Sequence, residues 1–379
     1  MRLLFGLLFF AGFCVGCKEQ AAEADYESIA YLREVYASGN PENWPKPHLD
    51  SSLTDFEDIG HLPEVIHPED NPFSKAKVDL GKKLFFDPRL SVSGQIACAS
   101  CHNSELAWTD NITRSFGHDR QNGKRNAMTI MNAAFAHELF WDGRAKSLED
   151  QARFPIADQV EMNEELNIAV DKIAAVEGYK PLFKEAFGAE EVSLNKIQKA
   201  IATFERTIVS HTSKFDRFID NKPEVFTDEE VLGLHLFRTK ARCINCHNTG
   251  YFSDNQYHND GQVLFGTKDE DFGRFNVTGD TADIGKFRTP TLREVARTGP
   301  WMHHGHFPSI KDVIEFYNLG NPQVVQKRYL GTPRDSLIPE VSPLLQKLNL
   351  TREEMNALEA FIGTLSSGDT RVRAPQLPQ

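Results

Sequence analysis

The strongest constraint on this chain is a pentapeptide that occurs twice, as Cys98-Ala99-Ser100-Cys101-His102 and as Cys243-Ile244-Asn245-Cys246-His247. Two thiols three positions apart, with His directly after the second, form the attachment signature for c-type haem. The spacing has a chemical reason. Both thiols add to vinyl groups of one porphyrin, so they must sit about one helical turn apart. The adjacent imidazole then lies under the ring and ligates iron from the proximal side. A zinc ribbon also pairs C-x-x-C units, but about 15–20 residues apart. Here the pairs are far apart, and each carries the extra His. A thioredoxin-like dithiol would sit at the start of a helix in a βαβ unit, and no such pattern surrounds either site.

At 379 residues the chain exceeds what one core usually serves, so two domains are expected. A net charge of −12 argues against nucleic acid as a partner. It suits a basic protein partner, or simply a solvated acidic surface. The N-terminus reads as a targeting segment. Arg2 precedes an apolar run from Leu3 to Phe13, which is too short to span a bilayer. It ends in Cys14-Val15-Gly16-Cys17, similar to a lipoprotein signal over 1–17 with Cys17 as the acylated residue. The usual Leu three positions before that Cys is Cys14 here, and plain secretion is the alternative. Either route leads to the periplasm, where c-type haem is attached. Four thiols then hold haem, Cys17 takes lipid and Cys14 leaves with the signal. Neither a disulfide nor a free thiol is expected in the mature chain.

Residues 18–69 read as an N-terminal extension, with weak helical periodicity from Tyr26 to Tyr36 before the breaker-rich Ser38-Gly39-Asn40-Pro41. An internal repeat follows. Leu80-Gly81-Lys82-Lys83-Leu84-Phe85 precedes the first attachment motif, and Leu232-Gly233-Leu234-His235-Leu236-Phe237 precedes the second. Each reads as an amphipathic helix leading into an attachment turn. This predicts two cytochrome domains, at 70–222 and 223–368, each with one covalent haem. Ser193 is the expected cap of a helix carrying Ile197, Ile201, Phe204 and Ile208. Thr227-Asp228-Glu229-Glu230 and Thr351-Arg352-Glu353-Glu354 read as capping boxes. No long alternating strand pattern appears, so the fold class is all-α. Residues 252–287 lack periodicity and should form a long irregular loop around the second haem. Residues 369–379 are expected to be a disordered tail.

Several further strings carry a family resemblance. They are Ser115-Phe116-Gly117-His118, Lys124-Arg125-Asn126-Ala127, Phe140-Trp141-Asp142-Gly143-Arg144-Ala145, Pro155 with Val160-Glu161-Met162-Asn163, Phe287-Arg288-Thr289-Pro290-Thr291-Leu292-Arg293, and Thr298-Gly299-Pro300-Trp301-Met302-His303. Together with both attachment motifs they resemble the bacterial di-haem cytochrome c peroxidases, a family that includes the MauG-type enzymes. The resemblance runs from about residue 70 to 367. It implies a peroxide-reacting haem ligated by His102 and an electron-transfer haem ligated by His247. Glu161 matches the distal carboxylate that moves the peroxide proton. His118 matches the loop His that caps the first iron in resting enzyme. Trp141 matches the tryptophan between the haems, and Pro155 a residue that shapes the peroxide pocket. Asn126, Thr298 and Pro300 match an interdomain calcium site, a set of oxygen donors that sequence alone would not reveal.

One position departs from the peroxidase pattern. The family's peroxidases carry a Met fourteen residues after the His of the Pro-aromatic-x-His string, and counting from His303 reaches Tyr317. MauG-type members carry Tyr there, so Tyr317 is the expected sixth ligand of the second haem. Alternatively, it is a core residue sharing a helical face with Ile310, Val313 and Ile314. The implied reaction is reduction of hydrogen peroxide to water, with electrons from a small protein such as a cytochrome c. The alternatives are a MauG-type oxidase acting on residues of a partner protein, and a di-haem electron carrier or redox sensor without turnover. A homodimer is left open.

Overall fold

The computed structural model describes residues 28–323, 325–368 and 372–379. The predicted signal, with Cys14 and Cys17, lies outside the described residues, as does the start of the extension. Among the described residues seven helices frame the site. They are α1 (Ile29–Ala37), α2 (Lys75–Phe85), α3 (Leu194–Glu205), α4 (Lys214–Ile219), α5 (Asp228–Arg238), α6 (Ile310–Asn318) and α7 (Arg352–Gly363). Their starts follow from local chemistry, because a helix leaves its first N–H groups without partners. Ser74 and Ser193 accept from the amides of Lys77 and Lys196. Thr227 with Glu230 and Thr351 with Glu354 close full capping boxes. The regular strand content among the described residues is one antiparallel pair, Tyr257–His258 with Phe287–Arg288. It pins the two ends of the otherwise irregular 252–287 segment together.

The repeat in sequence is a repeat in structure. α2 crosses α3 at Gly81, and α5 crosses α7 at Gly233. A Cβ on Gly81 would fall on the Ala200 carbonyl, and one on Gly233 on the Ala357 carbonyl. Only a residue without a side chain lets the backbones approach so closely. Around each crossing the same ring contact recurs. Phe85 meets Phe204 at 5.4 Å between centroids, and Phe237 meets Phe361 at 5.2 Å. Each fully buried Phe contributes roughly 1.5–3 kcal/mol relative to leaving it exposed.

Two large apolar cores result, besides a small cluster of Leu139, Ala145, Leu148 and Ala202. One gathers α2, α3 and their neighbours, and the other α1, α4, α5 and α7. Phe215, Phe218 and Ile219 of α4 are buried in the second core, so that unit starts before α4 rather than at 223. The extension also belongs to it. Leu32, Tyr36 and Ala37 of α1 enter the second core. Arg238, fully buried, pairs with Asp58 and donates to the Pro45 carbonyl at 2.7 Å. The extension even holds the second attachment turn, since Asp50 N–H donates to Asn245 Oδ1 at 2.7 Å and Asn245 Nδ2 donates to His48 O at 3.0 Å.

The expectation of a disordered tail is corrected over its described part, 372–379. Ser104 Oγ donates to Val372 O, Lys83 Nζ to Gln376 O and Gly178 N–H to Gln379 O, each at 2.9 Å. The polar composition that reads as disorder supplies carbonyls that side-chain and main-chain donors of the first unit satisfy.

Candidate active site

Both attachment motifs open onto one continuous cavity of about 1490 Å³. That exceeds the roughly 300–1,000 Å³ of a single small-molecule pocket. Cys98, Cys101 and His102 line one end, Cys243, Cys246 and His247 the other, and Trp141 the wall between.

At the first end, the Cys98–Cys101 turn of helix sets the two thiols one turn apart. His102 lines the cavity and directs Nδ1 to the Trp108 carbonyl at 3.2 Å. Burial, the largest influence, holds this imidazole below its ordinary range and hence neutral. Glu161 lines the same end. Its turn is pinned by Glu161 N–H to Asp158 O and Met162 N–H to Pro155 O, both 3.1 Å, and by a left-handed Asn163. Burial, then the Asp158 charge, pushes the Glu161 carboxyl up to about 6, against the pull of Arg144. Pro155 lies in the same wall. His118 does not line the cavity. Its N–H donates to the Glu161 carbonyl at 2.8 Å, its Nε2 lies 3.3 Å from Asp119, and its Nδ1 is buried without a partner.

Between the ends, Trp141 is gripped from both units. Its indole N–H donates to Asn126 O at 3.0 Å, and its carbonyl accepts from Arg288 N–H at 2.8 Å. Its ring lies edge-on to His303 at 6.3 Å between centroids. His303 is 2% exposed, stacks on Phe287 at 3.6 Å, and keeps Nε2 without a partner. Asn126 lines this region with Thr298 and Pro300. It donates its N–H to His303 O at 2.7 Å and its amide to Ile112 O at 2.9 Å, so Oδ1 is the group left to accept. Arg125 locks the two units together, reaching Asp142 at 2.5 Å and Asp271 at 2.6 and 2.9 Å.

The second end repeats the first. His247 directs Nδ1 to the Phe252 carbonyl at 3.1 Å. Tyr317 projects from α6 into the lining, with Ile310, Val313 and Ile314 of the same helix beside it. Both sequence readings of Tyr317 thus describe one position, an apolar helix face that forms the cavity wall. Burial first, then Asp260 and the Cys246 and Cys243 thiols, hold its phenol well above its ordinary range. The long 252–287 segment supplies Asp260, Asp271 and His258 to the lining.

Known proteins with the same pattern decide the family. The description "Di-haem cytochrome c peroxidase" matches residues 75–224. The methylamine utilization protein MauG of Methylorubrum extorquens is 36% identical, over 96% of this chain and 93% of its own length. The cytochrome c551 peroxidase of Nitrosomonas europaea is also 36% identical, over 81% of this chain and 85% of its own. The chain belongs to the di-haem cytochrome c peroxidase family. Among solved structures, a MauG-like protein associated with microbial copper homeostasis is similar at a TM-score of 0.70 and 31% identity, over 84% of this chain and 95% of that one.

Membership of a di-haem peroxidase family implies two c-type haems, and the residues present fit them. In each unit a buried His lining the cavity is fixed by a carbonyl at Nδ1, the arrangement that orients a metal-ligating imidazole. All four thiols are free. Burial pushes Cys101 up to about 11 and Cys243 up to about 12, which keeps them as thiols. Cys246, Asp254 and His258 also cluster within 4.8 Å, a spacing that suits a small metal ion. Cys246 belongs to the second C-x-x-C-H string, however, whose thiols are expected to attach haem rather than to hold a small ion. His258 instead pairs with Asp254 at 2.7 Å.

Sequence reading passed over three contributors to the wall. His303 served as the end of a matching string and a counting landmark, Arg125 as part of another string, and Glu205 was not singled out. Their chemistry depends on burial, which no local pattern records.

Proposed function

We propose that this protein reduces hydrogen peroxide to water with electrons from a small redox protein such as a cytochrome c. The observation that carries the reading is a largely buried carboxyl, Glu161, lining the same end of the cavity as His102, Cys98 and Cys101. Relatives named as peroxidases support the reaction class. When bound, the haem iron supplies the redox chemistry of O–O cleavage. Glu161 takes the proton from one peroxide oxygen and returns it to the departing one. A carboxyl raised to about 6 suits both halves of this task at neutral pH, because it gives and takes a proton at little cost.

His102 and His247 would ligate the two haem irons, with the Cys98/Cys101 and Cys243/Cys246 pairs as attachment points. Trp141, held by hydrogen bonds from both units, relays electrons between the ends of the cavity. His118 acts as a conditional ligand that must swing inward from its turn to reach the first site. Asn126, through Oδ1, with the carbonyls of Thr298 and Pro300, holds calcium between the units. The protein works in the periplasm, carried there by its N-terminal signal and anchored by lipid on Cys17. No helix among the described residues is long and apolar enough to cross a membrane.

A second reading is favoured by one residue. Tyr317, in place of the peroxidase Met, supports MauG-type oxidation of a partner protein. The test is a peroxide assay with reduced cytochrome c, on protein as isolated and after one-electron reduction. Turnover in either state is the expected result. Its absence from both, with both haems in place, refutes the peroxidase reading.

A further inference from the structure

The duplicated helix crossing provides an internal control that singles out one side chain. α3 and α7 hold equivalent places. Ala200 meets Gly81 as Ala357 meets Gly233, and Phe204 meets Phe85 as Phe361 meets Phe237. The next residue differs. It is Glu205 in α3 and Ile362 in α7, and both line the cavity. They are 4% and 8% exposed. One unit fills this position with an apolar side chain, so the crossing does not require a carboxyl.

A carboxyl there is also costly. An ionised group buried without a partner loses its hydration and gains nothing in return. Glu205 Oε2 has no hydrogen-bond partner. The adjacent cation brings little relief, because Arg206 directs its two terminal nitrogens to Glu149 at 2.6 and 2.9 Å. Arg206 and Glu149 act on Glu205 in opposite senses. Glu205 lines the same cavity as Cys98, Cys101 and Glu161, and its charge acts on the Cys98 thiol. The residue before it, Phe204, packs on Trp108, whose carbonyl holds His102.

We propose that Glu205 couples proton uptake to reduction of the haem at the Cys98–His102 motif. Its carboxylate gains one proton from solvent when that iron gains one electron from a one-electron donor, and loses it on reoxidation. The balance is simple. The electron goes to iron, the proton forms one O–H bond on Glu205, and nothing else changes. The cause is electrostatic. Ferric iron stabilises a nearby anion in the low-dielectric wall, and reduction removes that charge, so the carboxyl's proton affinity rises. Burial already holds Glu205 up to about 8, close enough to neutrality for the change in iron charge to carry it across. Ile362 cannot respond this way, so this position contributes no such effect at the second haem, whose own pH response belongs to other groups such as the buried Asp260. The inference rests on family membership, through haem attachment at the first motif, and not on peroxide turnover.

The test is a spectroelectrochemical titration of the full-length di-haem protein at a series of pH values. Each pH unit is a tenfold change in proton concentration, equivalent to about 59 mV for one electron. The first haem's potential should fall by up to that amount per pH unit, between the carboxyl's pKa in the ferric and ferrous states. Glu205→Gln and Glu205→Ile should both flatten this slope and leave the second haem's pH response unchanged. Glu205→Ile is the change the second unit already tolerates at Ile362. Glu205→Asp should keep a slope over a shifted range. An undiminished slope in a haem-loaded Glu205→Gln or Glu205→Ile protein overturns the proposal. So does a slope abolished by Glu161→Gln alone, which would assign the proton to Glu161. A haemochrome count showing no haem at the first motif would overturn the family-based haem assignment as well, and is told apart by that count.

Discussion

Replacing Glu161 by Gln removes the acid–base function while keeping shape and burial. Burial and then Asp158 push the Glu161 carboxyl up to about 6, against the pull of Arg144. At neutral pH most of it is ionised and able to accept the peroxide proton, and that fraction falls as the pH drops below this value. Turnover of the native protein should therefore decline on the acid side with an apparent pKa near 6. Loss of a positioned acid–base group typically costs 10²–10⁴-fold, or roughly 2.7–5.4 kcal/mol of barrier. Glu161→Gln should lose turnover on that scale and also lose the acid limb. Arg144→Leu, by removing the cation that lowers the carboxyl, should move the limb to higher pH. The assay is stopped-flow reduction of peroxide by reduced cytochrome c as a function of pH, with the spectra of both haems checked in each variant. If Glu161→Gln retains native turnover or the same acid limb, the proton is moved by another group.

Tyr317→Phe should change the ferric spectrum of the second haem, and Tyr317→Met should raise its potential, because an anionic phenolate favours ferric iron and a thioether favours ferrous. Burial keeps the phenol neutral here, so phenolate ligation requires the charge of the iron; unchanged spectra in Tyr317→Phe would leave Tyr317 a core residue. Chelating calcium should slow turnover and lower the melting temperature, with Asn126→Ala doing the same, and a melt insensitive to both would remove calcium from the interface. Gly233→Ala should cost about 1–3 kcal/mol or more, measured by denaturant unfolding of the haem-loaded protein, because its Cβ would fall on the Ala357 carbonyl.

Much of this architecture is written in short-range pattern. The two C-x-x-C-H strings mark both ends of the cavity, since covalent attachment needs fixed residues at fixed spacing. The caps at Ser193, Thr227 and Thr351 are legible because capping is a hydrogen bond across three residues. Gly81 and Gly233 could be seen to repeat, but their purpose appears only where α2 meets α3 and α5 meets α7. Other features depend on segments far apart in the chain. The polar extension is held by Arg238 and Asn245, and the polar tail by Ser104 and Lys83. In sequence both look like chain with nothing to pack against. Trp141 could be matched to a string, whereas its grip by Asn126 and Arg288 needs both units in place. Glu205 marks the limit of sequence reading. Along the chain it is one more Glu at the end of an amphipathic helix, where an acidic side chain usually faces water. Folding turns that helix face into the wall of a haem-sized cavity and commits its neighbouring arginine to Glu149. Residue type and spacing thus determine what can be attached and where helices begin, whereas the electrostatic character of each carboxyl depends on what surrounds it, which only the tertiary structure decides.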